Sequence, residues 1–312
     1  MIDIRPFLPA LLPLAIFLVL YIAMKVFQKY LASKKKRAPF KEEFFRSPGE
    51  SLRWRLRKID DEVMESLVMI LTLPLLFYSL IISLYYFSEK EPQRHVIAVT
   101  IMIAAAFIVY FFVRLFRLIS KRRRYRLGYD GEVAVGQVLN LLMLDGYHVY
   151  HDLDADKFNI DHVVVGPVGV FAVETKARSK PISKNPSRDA IVEYDGRTLR
   201  FPTQVETKPL EQAKRQAEWL SQWLSSATGE PVAAVPVLAL PGWYVRRTST
   251  NGFPVINPKQ MKSLLKHHRG NALEDKQIPR IVHQLDQRCR NVKFSDADGL
   301  GGSPGLKEAA QA

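Results

Sequence analysis

Hydrophobic residues form long continuous runs before residue 120 and short periodic groups after it. A membrane-spanning helix needs about 20 consecutive apolar residues, and three segments are long enough: residues 7–27, 67–87 and 96–115. The connection between the last two, around residues 88–95, is short, so these two segments are predicted to form a helical hairpin. The pattern therefore predicts a membrane region over residues 1–120 that contains three transmembrane helices.

After residue 120 the apolar spacing becomes that of a globular domain, with helical periodicity followed by the alternating and β-branched runs of strands. The predicted helices cover residues 131–144, 209–224, 258–265 and 278–290, and the predicted strands cover 147–153, 159–165, 170–176, 233–240 and 252–256, with another strand pair around Asp195-Gly196. This order predicts a mixed α/β domain at residues 125–242. A C-terminal strand and helices at 243–291 are expected to pack on it, and the Gly-, Ser- and Ala-rich tail at 292–312 is predicted to be disordered.

Charge is concentrated beside the apolar segments. The chain has a formal net charge of +14. Residues 1–126 hold 22 Lys and Arg against 10 Asp and Glu, whereas residues 127–312 hold 23 against 21. The excess of positive charge in residues 1–126 is therefore attributed first to membrane topology and to contact with anionic headgroups, and not to nucleic-acid binding. A specific lipid or nucleic-acid site in the basic segment remains an alternative.

The distribution of Lys and Arg also predicts orientation. Residues 28–66 carry eleven of them, whereas residues 88–95 carry two. Because Lys and Arg accumulate on the cytoplasmic side of membrane spans, residues 28–66 are predicted to be a basic cytoplasmic loop. The N-terminus is then outside and the α/β domain lies in the cytoplasm, at a bacterial inner membrane. No Asp, Glu or His lies deep within the apolar runs, so the helices are interpreted as an anchor.

The single cysteine, Cys289, excludes an intramolecular disulfide framework and a Cys-rich zinc site.

Charged residues interrupt two adjacent strands that are otherwise apolar. Asp161 lies within the first strand, and Glu174 and Lys176 lie at the end of the second. Residues two apart on a strand share a face, so Glu174 and Lys176 point the same way. The turn at residues 166–169 brings Asp161 alongside them. A bare pattern of this kind is commonly an ion pair, but burying two such interruptions on facing strands is costly and indicates a site.

These residue types suit a hard cation and a phosphate. Mg²⁺ binds through one or two carboxylates together with waters and substrate phosphate. Asp161, Glu174 and the backbone carbonyl of Thr175 are therefore the predicted ligands of Mg²⁺ or Mn²⁺. Lys176 is predicted to position a water or to neutralise charge that builds up on the phosphate.

Several short motifs together resemble the nuclease-related domain, NERD, a family similar to the PD-(D/E)XK nuclease superfamily. They are Gly131-Glu132, Gly146-Tyr147, Ile160-Asp161-His162, Gly166-Pro167, Gly169-Val170-Phe171 and Glu174-Thr175-Lys176. The resemblance covers about residues 126–240. It implies a restriction-endonuclease-like mixed sheet flanked by helices, here preceded by the three transmembrane helices.

The resemblance also implies roles for residues outside the hairpin. Glu132 matches a helical acidic position that supplies a further metal or water ligand, although an ordinary first-turn glutamate is equally consistent. Gln212 matches a catalytic glutamine position, and Gln216 lies one turn further on the same face; a solvated helix face is the alternative for both. His162 points to the opposite side of its strand from Asp161 and is interpreted as structural.

Three functions remain after the sequence analysis. The first is a membrane-anchored, metal-dependent nuclease that acts on DNA or RNA, with DNA favoured as the nucleic-acid partner. The second is a non-catalytic module that binds nucleic acid or protein, which the near-neutral charge of residues 127–312 favours. A local basic patch remains in the loop after the active strand, formed by Lys176, Arg178, Lys180, Lys184 and Arg188. The third is a membrane protein whose function lies in its helices.

Overall fold

The computed structural model describes residues 8–33, 43–87, 94–181 and 190–292. It divides into two compact units, which are Met1–Pro39 with Leu56–Arg123, and Phe40–Arg55 with Arg124–Ala312. Some of the predictions fall outside the described residues, namely the start of the first span at Phe7, the basic run at 34–37, the hairpin connection at 88–93 and the tail at 293–312.

The described residues of the first unit are all helical. The helices are α1 (Leu8–Ser33), most of α2 (Glu50–Phe87) and the first part of α3 (Arg94–Asn140). By length and composition, α2 and α3 are each long and apolar enough to cross a membrane, whereas the apolar stretch found in α1, Leu18–Phe27, is shorter. The described residues thus contain two such helices where three were predicted. Arg114 of α3 pairs with Glu65 of α2 at 3.0 Å, so α2 and α3 pack against each other.

Both long helices extend beyond the predicted spans. α2 begins at Glu50, within the predicted loop of residues 28–66, and α3 joins the predicted span 96–115 to the predicted domain helix without a break. The intervening stretches contain no proline and are rich in Lys, Arg, Glu and Leu, which continue a helix readily. The hydrophobic pattern therefore changes within these stretches although the helix continues through them. α3 is followed by a 3₁₀ turn, Leu141–Asp145, that stops at Gly146, which adopts a left-handed φ of +83° as helix-terminating glycines do.

A five-stranded mixed sheet is the centre of the second unit. Its strands are β2 (His148–Asp154), β3 (Asn159–Gly166), β4 (Gly169–Thr175), β8 (Ala234–Ala239) and β10 (Val255–Ile256). Their order is β10-β8-β4-β3-β2. The pairs β2–β3 and β3–β4 are antiparallel, and the pairs β4–β8 and β8–β10 are parallel. The predicted hairpin of the two charged strands is therefore confirmed.

The remaining elements surround this sheet. They are a second, four-stranded sheet of β5 (Ile191–Tyr194), β6 (Leu199–Arg200), β7 (Val205–Glu206) and β9 (Tyr244–Arg247), and the helices α4 (Lys208–Thr228), α5 (Met261–His267) and α6 (Gln277–Cys289). A short antiparallel pair joins β1 (Phe44–Phe45) to β11 (Arg290–Val292). The mixed α/β class predicted from the sequence is confirmed.

Apolar side chains cover both faces of the five-stranded sheet. On one face Val163 and Ala172 pack with Leu220 of α4 and with residues of α6. On the other face Val164 and Phe171 pack with residues of α3 and α5. A strand buried on both faces has no solvent-facing side that would carry polar residues. This explains why the sequences of β3 and β4 are almost continuous apolar runs. It also explains why a charge within them stands out.

Candidate active site

The central hairpin places Asp161 and Glu174 side by side. β3 and β4 pair with His162 opposite Val173, and one further step along this register brings Asp161 opposite Glu174. Side chains alternate between the faces of a strand. Both carboxyls therefore lie on the face covered by α4, and His162 lies on the face covered by α3. Glu174 is 2% exposed, whereas Asp161 keeps part of its surface open to solvent.

Neutral donors hold the two carboxyls in place. The Thr175 N–H donates to Asp161 Oδ2 at 2.7 Å. The Gln216 amide on α4 donates to Glu174 Oε2 at 2.7 Å and to the Asn159 carbonyl at 3.0 Å. Gln216 is 1% exposed, yet among the described residues its Oε1 atom has no hydrogen-bond partner. A buried carbonyl oxygen without a donor, beside two acids, is a ready ligand for a cation or a water.

Lys176 lies at the edge of this acid pair. Its Nζ atom is 3.9 Å from Glu174 Oε1, and its side chain is partly exposed. Within the described part of the chain, no other ion pair reaches Asp161 or Glu174. The structure thus brings together three of the residues that the sequence singled out, with Lys176 on the solvent side of the pair.

Burial makes the two acids hard to ionise. It raises the pKa of Glu174 to about 7, although the charge of Lys176 and hydrogen bonds from Gln216 and Asp161 oppose the rise. It raises the pKa of Asp161 well above its usual value, and the negative charges of Glu174 and Glu132 add to the rise. Two adjacent carboxyls that resist ionisation retain a proton at neutral pH unless a cation takes its place.

Glu132 belongs to the same electrostatic neighbourhood. It is a buried residue of α3, and burial raises its pKa to about 8, with further increases from Asp152 and Glu174 and a decrease from Lys176. However, within the described residues no three His, Cys, Asp or Glu side chains are close enough together to hold a metal ion. Glu132 therefore acts on the acid pair through its charge in this arrangement, and its predicted role as a direct ligand stays a prediction.

The glutamine beside the acids is Gln216, not Gln212. Both lie on α4, but Gln212 is half-exposed whereas Gln216 is buried against Glu174. One helical turn separates them, and a turn of 3.6 residues places them on similar faces. Sequence spacing alone therefore could not decide between them, and only the packing of α4 on the sheet does.

A buried hydrogen-bond chain runs along the opposite face of the hairpin. Asn140 Oδ1 is 2.9 Å from His151 Nε2, the Nδ1 atoms of His151 and His162 are 2.8 Å apart, and His162 Nε2 is 3.1 Å from Thr175 Oγ1. Burial lowers the pKa of His151 to about 4 and that of His162 well below its usual value. If Asn140 Oδ1 accepts from His151, each neutral ring donates once and accepts once, so the Thr175 hydroxyl donates to His162. The structural interpretation of His162 fits this arrangement.

The predicted basic patch is only partly free to meet a phosphate. Arg178 forms two hydrogen bonds with Glu206, at 2.7 and 2.6 Å. Lys180 lies over the ring of Trp243 with its Nζ atom 5.7 Å from the ring centroid. Lys184 and Arg188 lie outside the described residues. The patch therefore adds less free positive charge than a count of its residues suggests.

Asp152 is a residue near the site that no sequence motif indicated. It lies on β2 and is 1% exposed. Its φ of +51° is unusual for a residue with a side chain. Hydrogen bonds from Arg46, Ser51 and Asn159 surround its carboxylate. The only sequence signal is an aspartate within a strand, and its partners at positions 46 and 51 are about a hundred residues away along the chain.

These features define a class of protein domain: a mixed α/β sheet whose central hairpin ends in two facing acids and a lysine, covered by a helix that presents a buried glutamine. Residues 127–241 match the family described as the nuclease-related domain, NERD. The chain therefore contains a NERD domain, as the motifs predicted. The match begins within α3, at residue 127, and does not include the spans predicted at residues 67–87 and 96–115. No curated protein and no solved structure matches the chain, so the restriction-endonuclease-like assignment stays a prediction.

Proposed function

We propose that this chain is a membrane-tethered, metal-dependent nuclease that hydrolyses phosphodiester bonds of DNA or RNA, with DNA the favoured substrate class. The observation that carries the proposal is the facing pair of the partly exposed Asp161 and the buried Glu174, with Lys176 at its rim. Beside the pair lies the Gln216 Oε1 atom, which has no hydrogen-bond partner among the described residues. The match to a nuclease-related family over the same residues supports it.

The donor set fits a hard divalent cation. Asp161 and Glu174 supply carboxylate oxygens, Gln216 supplies an amide oxygen, and Thr175 supplies the backbone carbonyl that the sequence predicted. Mg²⁺ and Mn²⁺ accept such oxygens and leave other positions to water and phosphate. When bound, the cation supplies Lewis acidity toward a phosphate oxygen. We propose Mg²⁺ or Mn²⁺ as the natural cofactor.

The protein's own residues have distinct tasks in this proposal. Asp161 and Glu174 would hold the cation through ionised carboxylates, so binding would require loss of the proton that burial favours. The Gln216 amide and the Thr175 N–H keep both carboxylates in a fixed orientation, which reduces the reorganisation needed during the reaction. The Lys176 ammonium, held on the solvent side, positions the attacking water or neutralises charge that builds up on the phosphate.

The test uses the full chain in detergent, because residues 40–55 belong to the same compact unit as the NERD domain. Plasmid DNA, single-stranded DNA and RNA are incubated with Mg²⁺, Mn²⁺ or EDTA. We expect metal-dependent cleavage that Glu174→Gln and Lys176→Gln each reduce by roughly 100-fold or more. Glu218→Gln, at an exposed position on α4, is the matched control. If both nucleic acids stay intact with either metal, and Lys176→Gln behaves as wild type, the nuclease proposal is wrong.

A second candidate is a non-catalytic module that binds nucleic acid or protein. The pairing of Arg178 with Glu206 and the near balance of charge in residues 127–312 favour it. Binding that needs no metal and survives Glu174→Gln, in the absence of cleavage, would select this function.

The membrane tether is proposed from α2 and α3. Their length and composition suit membrane spans, and many of their large apolar side chains are exposed, including Leu71 and Tyr110. We propose that they anchor the chain in a bacterial inner membrane beside anionic headgroups, with the NERD domain in the cytoplasm. Carbonate-resistant sedimentation with membranes, and reporter fusions after Val292 that are active only in the cytoplasm, are the expected results. Full release by carbonate would contradict the tether.

A further inference from the structure

A short segment far from the family match completes the acidic centre. Residues 43–55, named here the strap, include β1 and the start of α2. β1 pairs with β11, and the Arg46 N–H donates to the Cys289 carbonyl at 3.0 Å. Pro48 packs so closely on α3 that a Cβ added to Gly136 would lie 2.4 Å from the Pro48 Cγ atom. The strap is thus a built part of the second unit.

The strap delivers a buried cation to Asp152. Arg46 Nη1 donates to Asp152 Oδ2 at 3.2 Å and to the Asp152 carbonyl at 2.9 Å, and both side chains are almost fully buried. The Arg46 Nε–H is fixed from the other side by Asn291 Oδ1 at 2.8 Å. An arginine placed by a strand on one side and an amide on the other has little freedom to leave its aspartate.

The strap also saturates the remaining acceptor sites of Asp152. Ser51 donates from its N–H to Oδ2 at 2.9 Å and from its hydroxyl to Oδ1 at 2.7 Å, and Asn159 Nδ2 donates to Oδ1 at 2.8 Å. Each oxygen thus accepts two hydrogen bonds and has no lone pair left for a metal. Asp161 and Glu174 present the opposite case, because their hydrogen bonds come from neutral donors. Among the described residues the ion pair at this acid pair is that of Glu174 with Lys176, at 3.9 Å.

Asp152 lies next to the acid pair. The register of β2 and β3 places it across from Asp161, and Asn159, which donates to Asp152 Oδ1, accepts from Gln216. Without a counter-ion, Asp152 would add a further buried carboxylate to this acidic cluster, and the added negative charge would favour a second cation. With Arg46 in place, the protein itself neutralises that charge.

We propose that Arg46 is an internal counter-ion that withdraws Asp152 from the acidic cluster and leaves Asp161 and Glu174 as a site for one divalent cation instead of two. The inference rests on the proposed function, since it concerns the same metal site. Arg46 is a positioning residue, because it acts through Asp152 and touches neither cation nor substrate.

The test measures Mn²⁺ binding and thermal unfolding of the full chain in detergent, for wild type and three variants. We expect wild type to bind one Mn²⁺ per chain. In Asp152→Asn the guanidinium of Arg46 loses its buried partner and keeps only the longer ion pair with the partly exposed Asp154, at 3.9 Å. Mn²⁺ should then bind at least about tenfold more weakly, because a positive charge that is no longer balanced acts on a divalent ion at short range in a buried site. In Arg46→Met/Asp152→Asn both charges are gone, and affinity should return to within about threefold of wild type.

Thermal unfolding without metal provides the second readout. Arg46→Met leaves Asp152 buried and unpaired, so its midpoint should lie below that of the double variant, although the double variant carries one more substitution. If Arg46→Met does not fold, the Asp152→Asn and double variants still decide the outcome through Mn²⁺ affinity.

The possible failures are distinguishable. A wild type that binds two Mn²⁺, one of which Asp152→Asn removes, makes Asp152 a ligand and overturns the inference while the proposed function stands. Unchanged affinity in Asp152→Asn also overturns it, because the charge pair would then not reach the site. If wild type binds no Mn²⁺, and so behaves as Glu174→Gln is expected to behave, the proposed function is refuted and the single-cation inference with it. Any effect of Arg46 is then on folding alone.

Discussion

Replacing Glu174 with glutamine should stabilise the metal-free protein at alkaline pH while it abolishes metal binding. Gln has the shape of a protonated glutamic acid, and its Oε1 atom can still accept from Gln216. The variant therefore removes the cost of ionising a buried acid beside Asp161 and changes the packing little. A site selected for cation binding is expected to be unfavourable without its cation.

The size of the effect follows from the pKa of Glu174, which burial raises from 4.5 to about 7. The folded state holds this proton more tightly than the unfolded state, so the contribution to stability is fully present below pH 4.5 and is lost as pH rises through 7. One pKa unit corresponds to about 1.4 kcal/mol, so wild type loses about 3 kcal/mol by pH 8 from this group. Glu174→Gln does not incur that loss. In a unit of this size the difference corresponds to a midpoint higher by roughly 6–12 °C.

The assay is thermal unfolding of the full chain in detergent with EDTA, followed by tryptophan fluorescence at pH 5 and at pH 8. Each variant is compared with wild type at the same pH, so the titration of groups that do not interact with Glu174, including His151, cancels. Glu218→Gln, at an exposed position on α4, should have the same unfolding midpoint as wild type at each of the two pH values. Adding Mn²⁺ at pH 8 should raise the midpoint of wild type and leave that of Glu174→Gln unchanged.

A Glu174→Gln variant that is no more stable than wild type at pH 8, or that gains as much at pH 5 as at pH 8, would refute the reasoning. The first result would mean that the ionised carboxylate is not penalised in the folded state. The second would mean that the gain comes from packing and not from charge.

Other expected outcomes test the surroundings of the site. Gly131→Ala should lower the unfolding midpoint, because the new Cβ would lie 2.6 Å from the Ala177 Cβ atom. Replacing Gly with Ala in a helix normally stabilises by about 1 kcal/mol, so a raised midpoint would contradict the close approach. Cys289 is buried, and burial raises its pKa to about 12. Alkylation of the folded chain at pH 8 should therefore be at least about 100-fold slower than that of the unfolded chain. Rapid labelling of the folded chain would argue against this packing. Burial lowers the pKa of His151 to about 4, so its imidazole should remain neutral at pH 6 by NMR. Its contribution to stability is then present above pH 6.5 and is lost as pH falls through 4, and a charged ring at pH 6 would exclude the proposed hydrogen-bond chain.

Much of the fold could be predicted because local patterns carry it. A strand buried on both faces is apolar almost throughout, and the Gly-Pro turn between two such runs leaves an antiparallel pair as the simplest arrangement. The facing of Asp161 and Glu174 follows from that turn and from strand alternation alone. The helix boundaries were less well predicted, because hydrophobicity reports the environment of α2 and α3 and not whether their backbone continues.

The sequence by itself therefore determined the α/β class, the charged hairpin with its lysine, and the presence of long apolar helices, since each depends on residues that are close along the chain. Only the tertiary structure decided which glutamine covers the acids, because Gln212 and Gln216 differ by one helical turn and the packing of α4 separates them. It alone revealed that Arg46 neutralises Asp152, because 106 positions separate the two residues and neither carries a local signal for the other. The charge state of a buried site depends on such distant partners, and their contact exists only once the chain has folded.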